Sequence, residues 1–138
     1  MTYSLGVDLG TTFVAAAICR SSTPEMVTLS GRSVVAPAWV YLGEDNVLVT
    51  GEAAHRRALT APGRVAREVK RRLGDPTPTI LGGQPFDVTT LLAAQLRGVL
   101  EQVLDLEGEN PGRVALTHPA NWGHFGGVCS RKYRSRPG

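Results

Sequence analysis

Near its N-terminus the chain reads Gly6-Val7-Asp8-Leu9-Gly10-Thr11-Thr12, a string whose residue types suit the binding of phosphate. A bound phosphate needs several N–H groups aimed at it and a close backbone approach that only small residues permit. Gly10 allows that approach, and the hydroxyls of Thr11 and Thr12 add further donors. Asp8 would repel phosphate directly. Its place just before the turn makes sense if a hard divalent cation stands between them, with the carboxylate reaching the water shell of Mg²⁺. An isolated Asp-x-Gly is more often a plain turn with a solubilising acid. The longer string, set between two apolar runs, points to phosphate instead. It is neither Gly-x-x-x-x-Gly-Lys-Ser/Thr nor Gly-x-Gly-x-x-Gly, so two common nucleotide-binding frameworks are excluded.

The elements that would hold this turn can be read on either side of it. Tyr3–Leu9 and Phe13–Cys19 read as two strands joined through Gly10, Thr11 and Thr12, a hairpin. Glu25–Leu29 continues the meander, and Trp39–Gly43 with Asn46–Val49 forms another strand pair. The period then changes. Glu52–Leu59 reads as a short helix, and Val65–Leu73 as a second, with Val65, Val69 and Leu73 on one face and Gly74 as its stop. Thr79–Phe86 holds a Gly82-Gly83 hairpin. Val88–Leu106 is the clearest helix, with Asp87 as N-cap and Leu92, Leu96, Val99, Leu100 and Val103 at helical spacing. Arg113–Thr117 is a short returning strand. The fold class is therefore mixed α/β, a β-meander with short helices, one long helix and a returning strand.

Bulk properties narrow the function classes. The 138 residues suffice for one domain, and 42% hydrophobic with 20% charged residues is ordinary globular composition. No apolar run reaches membrane-spanning length, and the first residues lack the basic and apolar regions of a secretory signal. Cys19 and Cys129 stand far apart without metal-ligand spacing, so no disulfide framework is expected and a reducing cytoplasm is the default. The net charge of +3 comes from the C-terminal end, where Arg131, Lys132, Arg134 and Arg136 meet no acid. Residues 1–123 hold eleven Lys and Arg against twelve acids. A nucleic-acid partner is therefore not expected.

The N-terminal string resembles the first phosphate loop of the actin, hexokinase and heat-shock-70 superfamily, and three further stretches resemble the heat-shock-70 (DnaK-type) chaperones. Val49-Thr50-Gly51-Glu52-Ala53-Ala54-His55-Arg56-Arg57 is similar to that family's Val-Gly-Glu/Asp-Ala-Ala-Lys-x-Gln segment. Glu68-Val69-Lys70-Arg71-Arg72-Leu73-Gly74 is similar to its Lys-Arg-Leu-Ile-Gly segment. Val114 to Trp122 resembles its Val-Ile-Thr-Val-Pro-Ala-Tyr-Phe strand and turn. Order and spacing agree over residues 3–123. The resemblance implies the first lobe of an actin-like (ribonuclease H-like) ATPase, an ATP and Mg²⁺ site, and protein clients held by a separate domain. It implies a role for Asp8 at Mg²⁺ through water, for Gly10, Thr11 and Thr12 at the β- and γ-phosphates, and for Lys70 at the γ-phosphate and attacking water. Read without the resemblance, Lys70 belongs to a solvated basic helix face shared with Arg67, Arg71 and Arg72.

In that family the nucleotide lies between two lobes, and the second brings another glycine-rich phosphate loop. No Asp-Leu-Gly-Gly-Gly-Thr string follows residue 123. Where the family's next helix should begin, the chain reads His124-Phe125-Gly126-Gly127-Val128-Cys129. The expected division is a partial nucleotide-binding domain over 1–123 and a basic, disordered tail over 124–138, out of frame with the family pattern. Such a fragment is expected to be inactive alone. Two alternatives stay open: a sugar or glycerol kinase, which begins with a similar turn, and a non-enzymatic remnant.

Overall fold

The computed structural model describes residues 2–31 and 33–116. In chain order it holds strands β1 (Ser4–Leu9), β2 (Phe13–Cys19), β3 (Pro24–Met26), β4 (Val35–Pro37), β5 (Trp39–Leu42) and β6 (Leu48–Thr50). Helix α1 (Glu52–Ala58), strands β7 (Val65–Arg67), β8 (Thr79–Leu81) and β9 (Gln84–Phe86), helix α2 (Val88–Glu107) and strand β10 (Arg113–Leu116) follow. The architecture is the anticipated mixed α/β one.

The hairpin forms because β1 alternates and β2 is apolar throughout, so both bury a face. Leu5, Val7 and Leu9 of β1 and Val14, Ala16 and Ile18 of β2 are buried on one face, where Val99 and Val103 of α2 complete a core. The antiparallel register runs from Ser4 opposite Cys19 to Leu9 opposite Val14. β10 pairs parallel to β1 on its other side. The far edge of β2 is shared, with β4 on Phe13–Ala15 and β3 on Ala17–Cys19. A second, three-stranded sheet has the order β6-β5-β7. Its core unites Val40, Leu42, Ala66 and Val69 with Leu81, Val88 and Leu91. Helix α2 thus serves both cores, its N-terminal half in one and its C-terminal half in the other. Each fully buried Leu or Val contributes about 1.5–3 kcal/mol, so the helix ties the two sheets into one unit.

The structure departs from the sequence reading at several places. Val65–Leu73 is not a helix. Val65–Arg67 pairs with β5, Glu68 turns left-handed at φ 52°, and Val69–Arg72 forms one 3₁₀ turn. Strand pairing outweighed the helical spacing of Val65 and Val69, and β-branched residues favour that outcome. Leu73, expected on the buried face, is exposed. Strand β4 was not anticipated, because Pro37 and Ser33 read as loop residues. Asp87 occupies the N-cap of α2, yet its side chain makes no capping hydrogen bond. The expected segments Thr117–Trp122 and 124–138, and Cys129 with them, lie outside the described residues. Among the described residues no helix is long and apolar enough to cross a membrane.

Candidate functional site

The turn between β1 and β2 is closed by the Gly10 N–H, which donates to the Phe13 carbonyl at 3.0 Å. Glycine is required there by space and not by an unusual φ. A Cβ on Gly10 would stand 2.5 Å from the Phe13 oxygen. Thr11 is half-buried and Thr12 exposed, which leaves the Thr12 hydroxyl accessible. Asp8 pairs with Ala15 across the hairpin. Because Val7 and Leu9 face α2, Asp8 lies on the opposite face, half-buried. Phe13, directly opposite Pro37, shares the face of Asp8 and is 52% exposed.

The strand that runs from β4 into β5 fixes the turn against the rest of the molecule. The Ala38 N–H donates to the Thr12 carbonyl at 2.9 Å. One residue on, the Trp39 carbonyl accepts from the Gly51 N–H at 3.1 Å, toward the β6 side. Successive residues of an extended strand direct their hydrogen-bonding groups to opposite sides, so Thr12 lies on the flank away from β6. That is also the flank of β7, where Arg67 stands opposite Trp39. Thr12 and Arg67 therefore oppose the neighbouring residues Ala38 and Trp39. The segment Glu68–Arg72, which carries Lys70, leaves from that point.

Lys70 is half-buried, and its carbonyl accepts the Leu73 N–H at 3.2 Å. It is anchored by Val69, which is buried among Val40, Leu42 and Leu91. Lys70 follows β7 by three residues, in the 3₁₀ turn that succeeds that strand. A continuous helix over Val65–Leu73 would have lost the pairing of Arg67 with Trp39. The candidate residues come from two places in the fold: the Gly10–Thr12 turn and Asp8 from one sheet, Lys70 from the 3₁₀ turn after β7 of the other. Among the described residues no three His, Cys, Asp or Glu side chains gather into a metal cage. A cation here would depend on the Asp8 carboxylate, water and the phosphates themselves, a mode that suits Mg²⁺.

Sequence reasoning missed the surroundings of Trp39. The Arg67 guanidinium sits over the indole ring at 4.3 Å from its centroid. His55 packs on the same indole, with ring centroids 4.7 Å apart and planes at 53°. An exposed cation–π contact of this kind contributes about 0.5–1 kcal/mol. No local signal in the sequence marks this stack, because its three members come from separate elements.

The family described as Hsp70 protein matches residues 4–89, which include the turn, Trp39, Arg67 and Lys70. The chaperone protein DnaK of Cenarchaeum symbiosum (strain A) is 28% identical over 126 residues, covering 87% of this chain and 19% of that protein. The chaperone protein DnaK of Halobacterium salinarum is 28% identical over 117 residues, covering 84% of this chain and 18% of that protein. A mixed α/β lobe with the hairpin turn at its edge, matched over most of its length, places the chain in the actin-like ATPase class. Within that class it belongs to the Hsp70 family. The chain spans about a fifth of the length of the curated relatives it matches.

Proposed function

We propose that these residues form one wall of an ATP site in an Hsp70-type molecular chaperone that couples ATP hydrolysis to protein folding. The observation that supports this reading is the hydrogen bond from Ala38 to Thr12, since the next residue, Trp39, pairs with Arg67, three residues before Lys70. In this reading the backbone and hydroxyls of Gly10, Thr11 and Thr12 hold the β- and γ-phosphates, and Asp8 orients Mg²⁺ through its water shell. Hydrolysis adds water to the γ-phosphorus and breaks its bond to ADP, giving ADP and phosphate. Lys70 offsets the negative charge on the γ-phosphoryl oxygens and orients the attacking water.

Unfolded protein clients would be engaged by a separate domain, in the cytoplasm, and nucleic acid is not a partner in this reading. Residues 124–138 are a tail out of frame with the family pattern. The coding DNA tests that division: a family-like helix encoded in another frame supports it, and none in any frame refutes it. A single lobe leaves half of the preorganised electrostatic environment unsupplied. The 138-residue chain therefore binds Mg·ATP weakly and hydrolyses it negligibly. Steady-state turnover comparable to a full-length relative, abolished by Lys70→Ala, would overturn the claim of inactivity. A complete absence of Mg·ATP binding would instead favour a non-enzymatic remnant.

A further inference from the structure

Five cations lie within nine residues from Arg64 to Arg72, and Glu68 is the one acid among them. Three of the five are engaged. Arg64 donates to the carbonyls of Leu42 and Gly43 at 2.7 and 3.0 Å. Arg71 pairs with Glu68 at 3.3 Å, and Arg72 donates to the Thr79 hydroxyl at 3.3 Å. Arg67 and Lys70 have no carboxylate partner among the described residues. Arg67 stands opposite Trp39, the residue next to the Ala38 that docks Thr12.

We propose that Arg67 is a second cationic contact for the polyphosphate, acting beside Lys70. The proposal rests on the nucleotide reading above and adds to it a residue from β7. Pro37 and Trp39 are two residues apart on a strand and share the face of Phe13 and Asp8. Arg67, opposite Trp39, therefore presents its side chain on that face too. The indole, 4.3 Å from the guanidinium carbon, restrains Arg67 on one side, and a guanidinium can make bidentate contact with phosphate oxygens. His55 braces the indole, so the ordering of Arg67 is built into the fold before any ligand arrives. A guanidinium is weakly hydrated and always charged, which suits a contact that is dehydrated on binding.

The test uses the whole 138-residue chain, titrated with Mg·ATP at several salt concentrations. Arg67→Met keeps the aliphatic stem over Trp39 and removes the charge. It should weaken Mg·ATP binding about tenfold or more, flatten the salt dependence of Kd, and lower Tm by no more than the few degrees a lost cation–π contact costs. Lys70→Met serves as the companion variant. If Lys70→Met weakens binding while Arg67→Met matches the wild type in affinity and salt dependence, the nucleotide reading stands and the Arg67 contact is refuted. If the unaltered chain fails to bind Mg·ATP, both are refuted. A lower Tm in Arg67→Met accompanied by unchanged affinity also counts against it, since Arg67 would then be only a packing residue.

Discussion

Replacing Gly10 by Ala tests the geometry of the turn with a single methyl group. The added Cβ would lie 2.5 Å from the Phe13 carbonyl oxygen, and that oxygen accepts the Gly10 N–H. No flexible side chain can yield, because the obstacle is backbone. The turn must open, which loses a hydrogen bond worth about 1 kcal/mol. The displaced backbone adds strain of about 1–3 kcal/mol, as in other overpacked sites. The total of about 2–4 kcal/mol is a large share of the 5–15 kcal/mol typical of a domain, and should lower Tm by roughly 10 °C. Gly63→Ala is the matched control, because nothing stands within 4 Å of a Cβ there. It should change stability by less than about 0.5 kcal/mol. Thermal unfolding and Mg·ATP titration at a temperature where both variants are folded give the comparison. Gly10→Ala should bind at least about tenfold more weakly, since 1.4 kcal/mol corresponds to that factor. A Gly10→Ala chain that matches Gly63→Ala in both Tm and affinity refutes the reasoning.

Three further outcomes follow from the packing. Gln95 is only 3% exposed, and both polar atoms of its amide lack partners. Gln95→Met should therefore stabilise by about 1–3 kcal/mol, and a fall in Tm would show that the amide is satisfied. A Cβ on Gly98 would meet the Thr50 hydroxyl at 2.2 Å. Gly98→Ala should lower Tm despite the roughly 1 kcal/mol gained in helix propensity, and should raise it in a Thr50→Ala background; a rise in both backgrounds contradicts the close approach. Tyr3 donates to the Glu109 carbonyl at 2.8 Å, and burial, then the Glu107 and Glu109 carboxylates, push its pKa above the usual tyrosine value. The folded state holds that proton more tightly, so its stabilisation is complete below pH 10 and is lost as pH rises through the raised folded value. Tyr3→Phe should cost about 1 kcal/mol at neutral pH and show a shallower alkaline loss of stability; an alkaline slope equal to the wild type would contradict the assignment.

Much of the frame was legible because local pattern and tertiary packing agree there. The β1–β2 hairpin reads from two strand-like runs joined by a glycine-containing turn, and α2 reads from Val99 and Val103 at helical spacing, both buried as expected. Leu92, Leu96 and Leu100 on the same helix are only partly buried, since two separate cores divide its surface. Disagreement appears where partners distant in sequence decide. Val65, Ala66 and Arg67 carry a helix-compatible pattern, and it is Trp39–Tyr41 that makes them a strand. β4 contains Pro37 and is three residues long, so only its pairing with Phe13–Ala15 marks it as a strand. At the candidate site, Asp8 and the Gly10–Thr12 turn could be read locally. The Arg67–Trp39–His55 stack could not, because its members come from β7, β5 and α1.

The central claim is that the β1–β2 turn and the Lys70 segment together receive the phosphates of a nucleotide. The most direct test is amide chemical-shift mapping of the 138-residue chain during titration with Mg·ATP. The account predicts saturable shifts at Gly10, Thr11 and Thr12 and at Arg67 through Lys70, with the Mg²⁺ dependence lost in Asp8→Asn. Saturable shifts confined to the α1–α2 side of the fold, or no shifts at the turn at concentrations that saturate a full-length relative, would contradict it.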